Sequence, residues 1–510
     1  MFFVSAGLLF YLLITDKRLY ANLEINILKS YYIYITIMVK ESTSFSSINK
    51  LSETIKNQEL SSVDLVEVCI KRINKFNPCL NSFITVINER AYKDAEVIEK
   101  EIRRGVDRGP LQGIPFSIKD IISAEGVICT AGSKIMSNYV SKIDSTVVAR
   151  MRKAGAILLG TNNLNEFASG ITGINPHYGS SKNPWNIHRI SGGSSGGSAV
   201  AVATGMVPVS LGTDTGGSIR VPSSLCGVVG LKPTYGKVSK YGVMDLAPSL
   251  DHIGCITRSA WDAALVLEII AGHSPLELHT KNQPIPSHKK VVTETKDKKL
   301  SVGIPKQYFF DYLQQEVKDI FSDVIDTSGL ADSILEINLE NTDKILESWR
   351  SIRFAEATEI HMKWLTTRPN DYSDDVRKML LEGTNISAID YIRAHRLRTE
   401  MRREFLKLLK KVDVIVVPTT ILTAPRFDDL ESIDINGKSL EVREALLRNT
   451  ILFNSIGLPA ISIPVGLTKD QMPVGVQIVG SLFEEEKILS MAYKYECINN
   501  SLTKFVPPLN

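Results

Sequence analysis

Cysteine, histidine and long apolar runs are all scarce in this chain of 510 residues, and its charge is balanced. The 6 cysteines, Cys69, Cys79, Cys129, Cys226, Cys255 and Cys497, lie far apart and form neither a CxxC pair nor a zinc spacing. A chain this long needs no disulfide staples, so a reducing cytoplasm is the expected setting. Net charge is +3, from 59 Lys and Arg against 56 Asp and Glu, which argues against a strongly basic nucleic-acid footprint or an anionic-membrane surface. The 8 histidines fall mostly in loops or charged helices and show no H-x-x-x-H spacing, so no metal site and no cofactor is expected.

The apolar run from Phe2 to Thr15 is too short for the roughly 20 residues of a membrane helix. It also lacks the basic n-region and small-residue cleavage site of a secretory signal. Two readings of this stretch stay open. One is a membrane-associated N-terminal anchor, and the other is a segment lying ahead of a true start at Met38. Residues 1–37 are therefore set outside the fold. Length alone would allow about three domains, but no low-complexity linker divides the chain. Residues 38–510 are read as one domain, with an exposed connection near 281–300, where Lys, Pro, Thr and Ser cluster.

Glycine and serine, by contrast, are concentrated in two runs. The first is Ser191-Gly192-Gly193-Ser194-Ser195-Gly196-Gly197-Ser198. The second is Gly212-Thr213-Asp214-Thr215-Gly216-Gly217-Ser218-Ile219-Arg220. A linker of this composition would be flanked by polar sequence. Here the first run leads into Ala199-Val200-Ala201-Val202-Ala203 and the second follows Val207-Pro208-Val209-Ser210-Leu211, so both are embedded in apolar surroundings. Around them helix and strand alternate through Ala271. Ile48–Phe76 reads as two amphipathic helices, 113–120 as a buried strand, 145–154 as a helix, 157–160 as a strand and 163–168 as a helical start. Further on, 343–366, 388–411, 442–454 and 484–495 read as helices, with strands at 302–305, 412–418, 460–465 and 474–479. This pattern predicts an α/β fold of three layers, α/β/α, with a large mixed central sheet covered by helices on both faces.

Four chemistries compete for the two runs. A phosphate loop needs a Lys in the GxxxxGK[ST] register, and neither run has one. A nucleophile elbow is matched by Gly192-Gly193-Ser194-Ser195-Gly196, but 183–189 does not read as the strand it requires, and over a hundred residues follow the last histidine, His395. The glycines could be structural only. The fourth reading is a serine catalyst whose base is a lysine made neutral by burial. Lys119, closing the apolar strand Ile114-Pro115-Phe116-Ser117-Ile118, suits that reading.

These stretches resemble the signature of the amidase signature family, Ser–cis-Ser–Lys amidohydrolases. The likeness covers Gly192–Ala199 and Asp214–Pro222, with flanking matches at Gly230–Thr234, Ser249–Gly254 and Gly457–Ala460, and extends from about Ile48 to Pro507. The resemblance implies that Ser218 is the nucleophile, Ser194 the bridging serine on a cis peptide and Lys119 the general base. It implies an oxyanion hole from the backbone of Thr215, Gly216 and Gly217, and Asp214 and Arg220 as a supporting salt bridge. The implied activity is hydrolysis of a small carboxylic amide to acid and ammonia or amine, with no direct nucleic-acid contact. Within the family, two stretches favour a free amidase. Asp375-Val376-Arg377-Lys378-Met379-Leu380 shifts or replaces paired basic residues, and Arg448–Asn454 has no acidic residue. The alternative is the glutaminase component of an aspartyl/glutamyl-tRNA amidotransferase (its A subunit), with partner subunits. A homo-oligomer and a non-catalytic binding protein on the same scaffold are the remaining expectations.

Overall fold

The computed structural model describes residues 43–509 apart from 284, 286, 288–299, 306, 328–332, 340, 341 and 500–503. By its internal contacts the chain divides into two units, Met1–Ser46 and Ser47–Asn510. The expectation for 1–37 lies outside the described residues, as does most of the connection at 281–300, of which 281–283, 285 and 287 are exposed. No helix among the described residues is long and apolar enough to cross a membrane.

The second unit opens with helices α1 (Ile48–Lys56) and α2 (Ser62–Leu80), strand β1 (Phe83–Val86) and helix α3 (Asn88–Arg103). Strand β2 (Pro115–Lys119), helix α4 (Thr146–Lys153) and strand β3 (Ile157–Asn162) follow. Next come α5 (Gly196–Ala203), β4 (Val209–Asp214), α6 (Arg220–Cys226), β5 (Val229–Lys232), β6 (His252–Thr257) and α7 (Ala260–Ile270). The later part contains β7 (Ser301–Pro305), α8 (Gln315–Thr327), β8 (Ser333–Ile337), α9 (Ile345–Thr367), α10 (Asp374–Gly383) and α11 (Ala388–Leu408). It closes with β9 (Val414–Pro418), β10 (Ser432–Ile435), β11 (Lys438–Glu441), α12 (Val442–Leu447), α13 (Ile451–Ser455), β12 (Ala460–Leu467), β13 (Pro473–Val479) and α14 (Glu485–Asn499).

Local sequence accounts for many of these boundaries. Ser47, Ser61, Ser145, Ser259 and Ser387 each accept a backbone N–H from the first turn of the helix they precede, which satisfies one orphan donor apiece. Strand β9 is buried at every position, as its unbroken apolar run requires, and so is β2, its Ser117 and Lys119 included. Eleven strands form one sheet in the order β1-β3-β2-β4-β6-β5-β12-β13-β9-β7-β8, flanked by helices as the sequence pattern predicts. The sheet is mixed. Strand β2 runs parallel to β3 and β4, whereas β4 is antiparallel to β6.

That register positions the site. With β2 and β4 parallel, Lys119 and Asp214 finish neighbouring strands at the same edge, and Asp214 pairs with His252 at the start of β6. The carboxyl ends of parallel strands are where open α/β sheets place their ligands.

Three local readings differ from the structure. Residues 163–168 make only a 3₁₀ turn at Glu166–Ala168, with Phe167 and Ala168 at φ of 49° and 56°. Glu166 is drawn into a buried cluster there, accepting from Ser133 Oγ at 2.7 Å and from the Ser373 N–H at 2.8 Å. The expected helix over 442–454 is two helices, α12 and α13. At the break, Asn449 Nδ2 donates to the carbonyls of Phe309 and Pro418, while Thr450 Oγ1 donates to that of Gly216. Helix α10 and the β10–β11 hairpin were not expected from the sequence.

Candidate active site

Lys119 ends β2 fully buried, and its Nζ meets two hydroxyls, Ser194 Oγ at 2.6 Å and Thr213 Oγ1 at 2.8 Å. No carboxylate pairs with it among the described residues. Burial pulls its ammonium down to about 7, against the opposing pull of the Asp251 and Asp214 charges. The amine is thus poised to exchange a proton near neutrality.

Ser194 is fully buried, and the Gly193–Ser194 peptide is cis. The next residue ties the two glycine runs together: the Ser195 N–H donates to the Ser218 carbonyl at 3.1 Å, and Ser195 Oγ to the Thr213 carbonyl at 3.2 Å. Ser218 is 5% exposed and opens onto a cavity of 520 Å³. No hydrogen bond joins the Ser194 and Ser218 hydroxyls. No histidine bonds to either serine among the described residues. Ser194 precedes α5 with no strand leading into it, so the G-x-S-x-G match does not form a strand-to-helix elbow.

The loop between Asp214 and Ser218 is held from behind by its carbonyls. Trp349 Nε1 donates to the Thr215 carbonyl at 3.0 Å, and Thr450 Oγ1 to the Gly216 carbonyl at 2.6 Å. The Thr215 hydroxyl donates to Asp251 Oδ1 at 2.5 Å. The N–H groups of Thr215, Gly216 and Gly217 find no acceptor among the described residues, which leaves them free for a ligand oxygen. Gly217 sits at φ +142°, and a Cβ on it would lie 2.3 Å from Thr450 Oγ1. At Gly216 a Cβ would fall 2.6 Å from Trp349 Cζ2. Both positions require glycine for close approach.

Asp214 and Arg220 form an ion pair with both side chains fully buried, Nη2 to Oδ1 at 3.1 Å and Nε to Oδ2 at 3.1 Å. Burial alone would raise the Asp214 carboxyl, but the Arg220 guanidinium holds it well below the usual carboxylate range. Arg220 also donates to Gln477 Oε1 at 2.9 Å, to the Thr450 carbonyl at 3.1 Å and to Asn454 Oδ1. Asn454 Nδ2 returns a bond to Asp214 Oδ1 at 2.8 Å. His252, next to this group, is held well below its ordinary range by burial and then by Lys232, and so stays neutral.

Lys119, Ser194, Ser218, the 215–217 loop and the Asp214–Arg220 pair therefore converge. Sequence reasoning missed Thr213 as a partner of Lys119, and Trp349, Thr450, Asn454 and Gln477 as supports of the loop. The stretch Arg448–Asn454 did stand out, but only as a mark of which family branch it resembles. No cluster of His, Cys, Asp and Glu among the described residues could hold a metal ion.

Comparison with known proteins gives a consistent result. A protein-family model described as Amidase matches residues 64–489. The chain is 37% identical over 478 residues to the A subunit of glutamyl-tRNA(Gln) amidotransferase from Geobacter metallireducens, covering 88% of this chain and 96% of that protein. It is also similar to a solved structure described as a vestigial protein complex that reveals the evolutionary origins of an s-triazine catabolic enzyme. That match has a TM-score of 0.85 and 31% identity, over 91% of this chain and 100% of the other. A crystal structure of an amidase matches with a TM-score of 0.80 and 34% identity, over 89% of this chain and 99% of the other.

Proposed function

This chain belongs to the amidase family of hydrolases acting on C–N bonds, and from that premise we propose that it cleaves a carboxylic amide through an acyl-enzyme on Ser218. The observation that carries the proposal is the buried Lys119 Nζ at 2.6 Å from Ser194 Oγ, with its ammonium pulled down to about 7. Neutral Lys119 takes a proton from Ser194, and Ser194 takes one from Ser218 as its Oγ attacks the amide carbon. The resulting oxyanion lies against the N–H groups of Thr215, Gly216 and Gly217. Return of the proton through Ser194 to the nitrogen breaks the C–N bond and releases ammonia or an amine. Water then attacks the ester by the same relay, giving the acid and restoring Ser218.

Two deployments share this chemistry. The stretches Asp375–Leu380 and Arg448–Asn454 favour a free amidase. The glutaminase component of a tRNA amidotransferase has the stronger support, since a relative of that name matches over nearly the full length of both chains. In that deployment ammonia from glutamine passes to partner subunits. The six free cysteines support the cytoplasm as its setting.

Ser218→Ala is expected to abolish amide turnover and labelling by a serine-directed phosphonate without loss of fold. Retained turnover, or labelling at Ser194, would overturn the assignment. Purified chain assayed on a panel including glutamine separates the deployments: turnover without a partner supports the free amidase, and glutamine hydrolysis that appears only with added subunits and tRNA supports the other.

A further inference from the structure

Four consecutive carbonyls leading into Ser218 are each answered by a donor. Those of Asp214, Thr215, Gly216 and Gly217 accept in turn from Asn454 Nδ2 at 2.8 Å, Trp349 Nε1 at 3.0 Å, Thr450 Oγ1 at 2.6 Å and the Val221 N–H at 2.8 Å. The peptides between these residues are trans, so each N–H points away from the carbonyl of its own peptide. A donor on the Thr215 carbonyl therefore aims the N–H of Gly216, and a donor on the Gly216 carbonyl aims that of Gly217.

Two of the four donors have no other explanation in the fold. Val221 makes the backbone bond that opens α6, and Asn454 is engaged with the Asp214–Arg220 pair through both of its side-chain polar atoms. Trp349 and Thr450 instead reach in from α9 and from the break between α12 and α13. Both are buried, and the carbonyls they meet have no second donor among the described residues. The Thr450 hydroxyl has a single proton and two carbonyls within reach, that of Gly216 at 2.6 Å and that of Leu447 at 3.0 Å. Leu447 already receives the Thr450 N–H at 2.9 Å, so the proton belongs to the shorter contact with Gly216.

A hydrogen bond at a carbonyl polarises the whole peptide and makes its N–H a stronger donor, by about 10–30% per bond. An oxyanion draws on that gain more than the neutral amide oxygen from which it forms. We propose that Trp349 and Thr450 are positioning residues for the reaction, each aiming and strengthening one oxyanion donor from the far end of its peptide. Trp349 acts on the N–H of Gly216 and Thr450 on that of Gly217. The effect on rate rests on hydrolysis at Ser218, whereas the matching of each side chain to one peptide does not.

Thr450→Val and Trp349→Phe keep the bulk of each side chain and remove its donor. Each should lower kcat on an amide by about 3- to 10-fold, the range of one hydrogen bond, and Thr450→Ser should recover most of the loss. Thr450 does not line the cavity, so KM in Thr450→Val should stay within about twofold of wild type. An unchanged kcat in both variants, or a Thr450→Val loss carried by KM, would overturn the proposal. A second arm reads the loop without turnover, from the amide ¹⁵N resonances of Gly216 and Gly217 in chain labelled with ¹⁵N-glycine. Trp349→Phe should move chiefly Gly216 and Thr450→Val chiefly Gly217, with Thr450→Ser close to wild type. That crossed pattern supports the matching even if no amide is hydrolysed, an outcome that sinks only the reaction at Ser218. Resonances that stay in place, or that move alike in both variants as loosened packing would move them, overturn it.

Discussion

Between pH 6 and 8 the rate of hydrolysis is expected to rise with one ionisation centred near pH 7, that of Lys119. Burial brings its ammonium from an ordinary 10.5 down to about 7, a preference for the neutral amine of about 5 kcal/mol at about 1.36 kcal/mol per pH unit. Roughly a tenth of the enzyme then has a neutral base at pH 6 and nine tenths at pH 8, so kcat/KM should climb about tenfold. The assay is kcat/KM against pH with an amide that does not titrate in that range. One neighbour could mimic the result. Asp120, the next residue, has its carboxyl pushed up by burial to about 7, against hydrogen bonds from the Thr130 hydroxyl and N–H. Asp120→Asn should therefore leave the limb in place, whereas Asp251→Asn, which removes a nearby negative charge, should move it to lower pH. A flat profile, or a limb that vanishes in Asp120→Asn, would refute the reasoning. Stability follows the same ionisation. From about pH 7 to about pH 10 the unfolded lysine holds a proton that the folded one has lost. Stability therefore rises with pH through that window, and below it the cost of burying the cation is fully present. Lys119→Met removes that cost, so it should lower the rate about 10²- to 10⁴-fold with no fall in thermal midpoint at pH 6.

Two other perturbations probe the loop. Gly217→Ala forces a Cβ to within 2.3 Å of Thr450 Oγ1 at a φ of +142°; kcat should fall by about 10²- to 10³-fold as an oxyanion donor is displaced, and an undiminished rate would count against the 215–217 donors. Arg220→Gln leaves Asp214 buried without its cation, which costs about 3–5 kcal/mol; the thermal midpoint should drop by roughly 5 °C or more, and an unchanged midpoint would show that the pair does not hold the loop.

How much of this was legible in the sequence depends on where the information lies along the chain. Lys119 and the two glycine-rich runs stood out because each is odd for its surroundings, a charged end on an apolar strand and small residues inside a core, whereas Ser194 and Ser218 were singled out within the runs only by the family resemblance. The large mixed sheet was legible from the alternation of apolar runs with helical periods. Supports of the loop were not legible in the same way. Thr450, Asn454 and Gln477 reach Asp214 and Arg220 across more than two hundred residues, and their proximity depends on β5, β12 and β13 continuing the sheet beyond β6. Nothing local encodes that order. The break between α12 and α13 was hidden for a related reason. Its apolar period is continuous, while the side chains that interrupt it answer carbonyls in distant loops. At 163–168 the helical signal was real but weaker than the pull of the buried Glu166 cluster.

The ion pair behind the loop also bears on the proton state of Lys119. Two carboxylates lie near enough to influence Lys119, and either one as a direct partner would hold it as an ammonium. Neither is available. Asp214 keeps its charge, but the Arg220 guanidinium answers it at both oxygens. Asp251 has its carboxyl raised by burial, against Lys240 and the three donors that occupy its oxygens. Lys119 is left with two hydroxyls, and a hydroxyl can either accept from a neutral amine or donate to it. An exchangeable proton on Ser194 requires that second possibility. Lys232, one layer back, is also fully buried and pushed well down by burial and then by Arg220, but its Nζ donates to carbonyls, those of Pro233 and Leu458, rather than meeting hydroxyls. One permanent cation, Arg220, thus neutralises the buried Asp214. In doing so it lets the neighbouring lysine lose its proton.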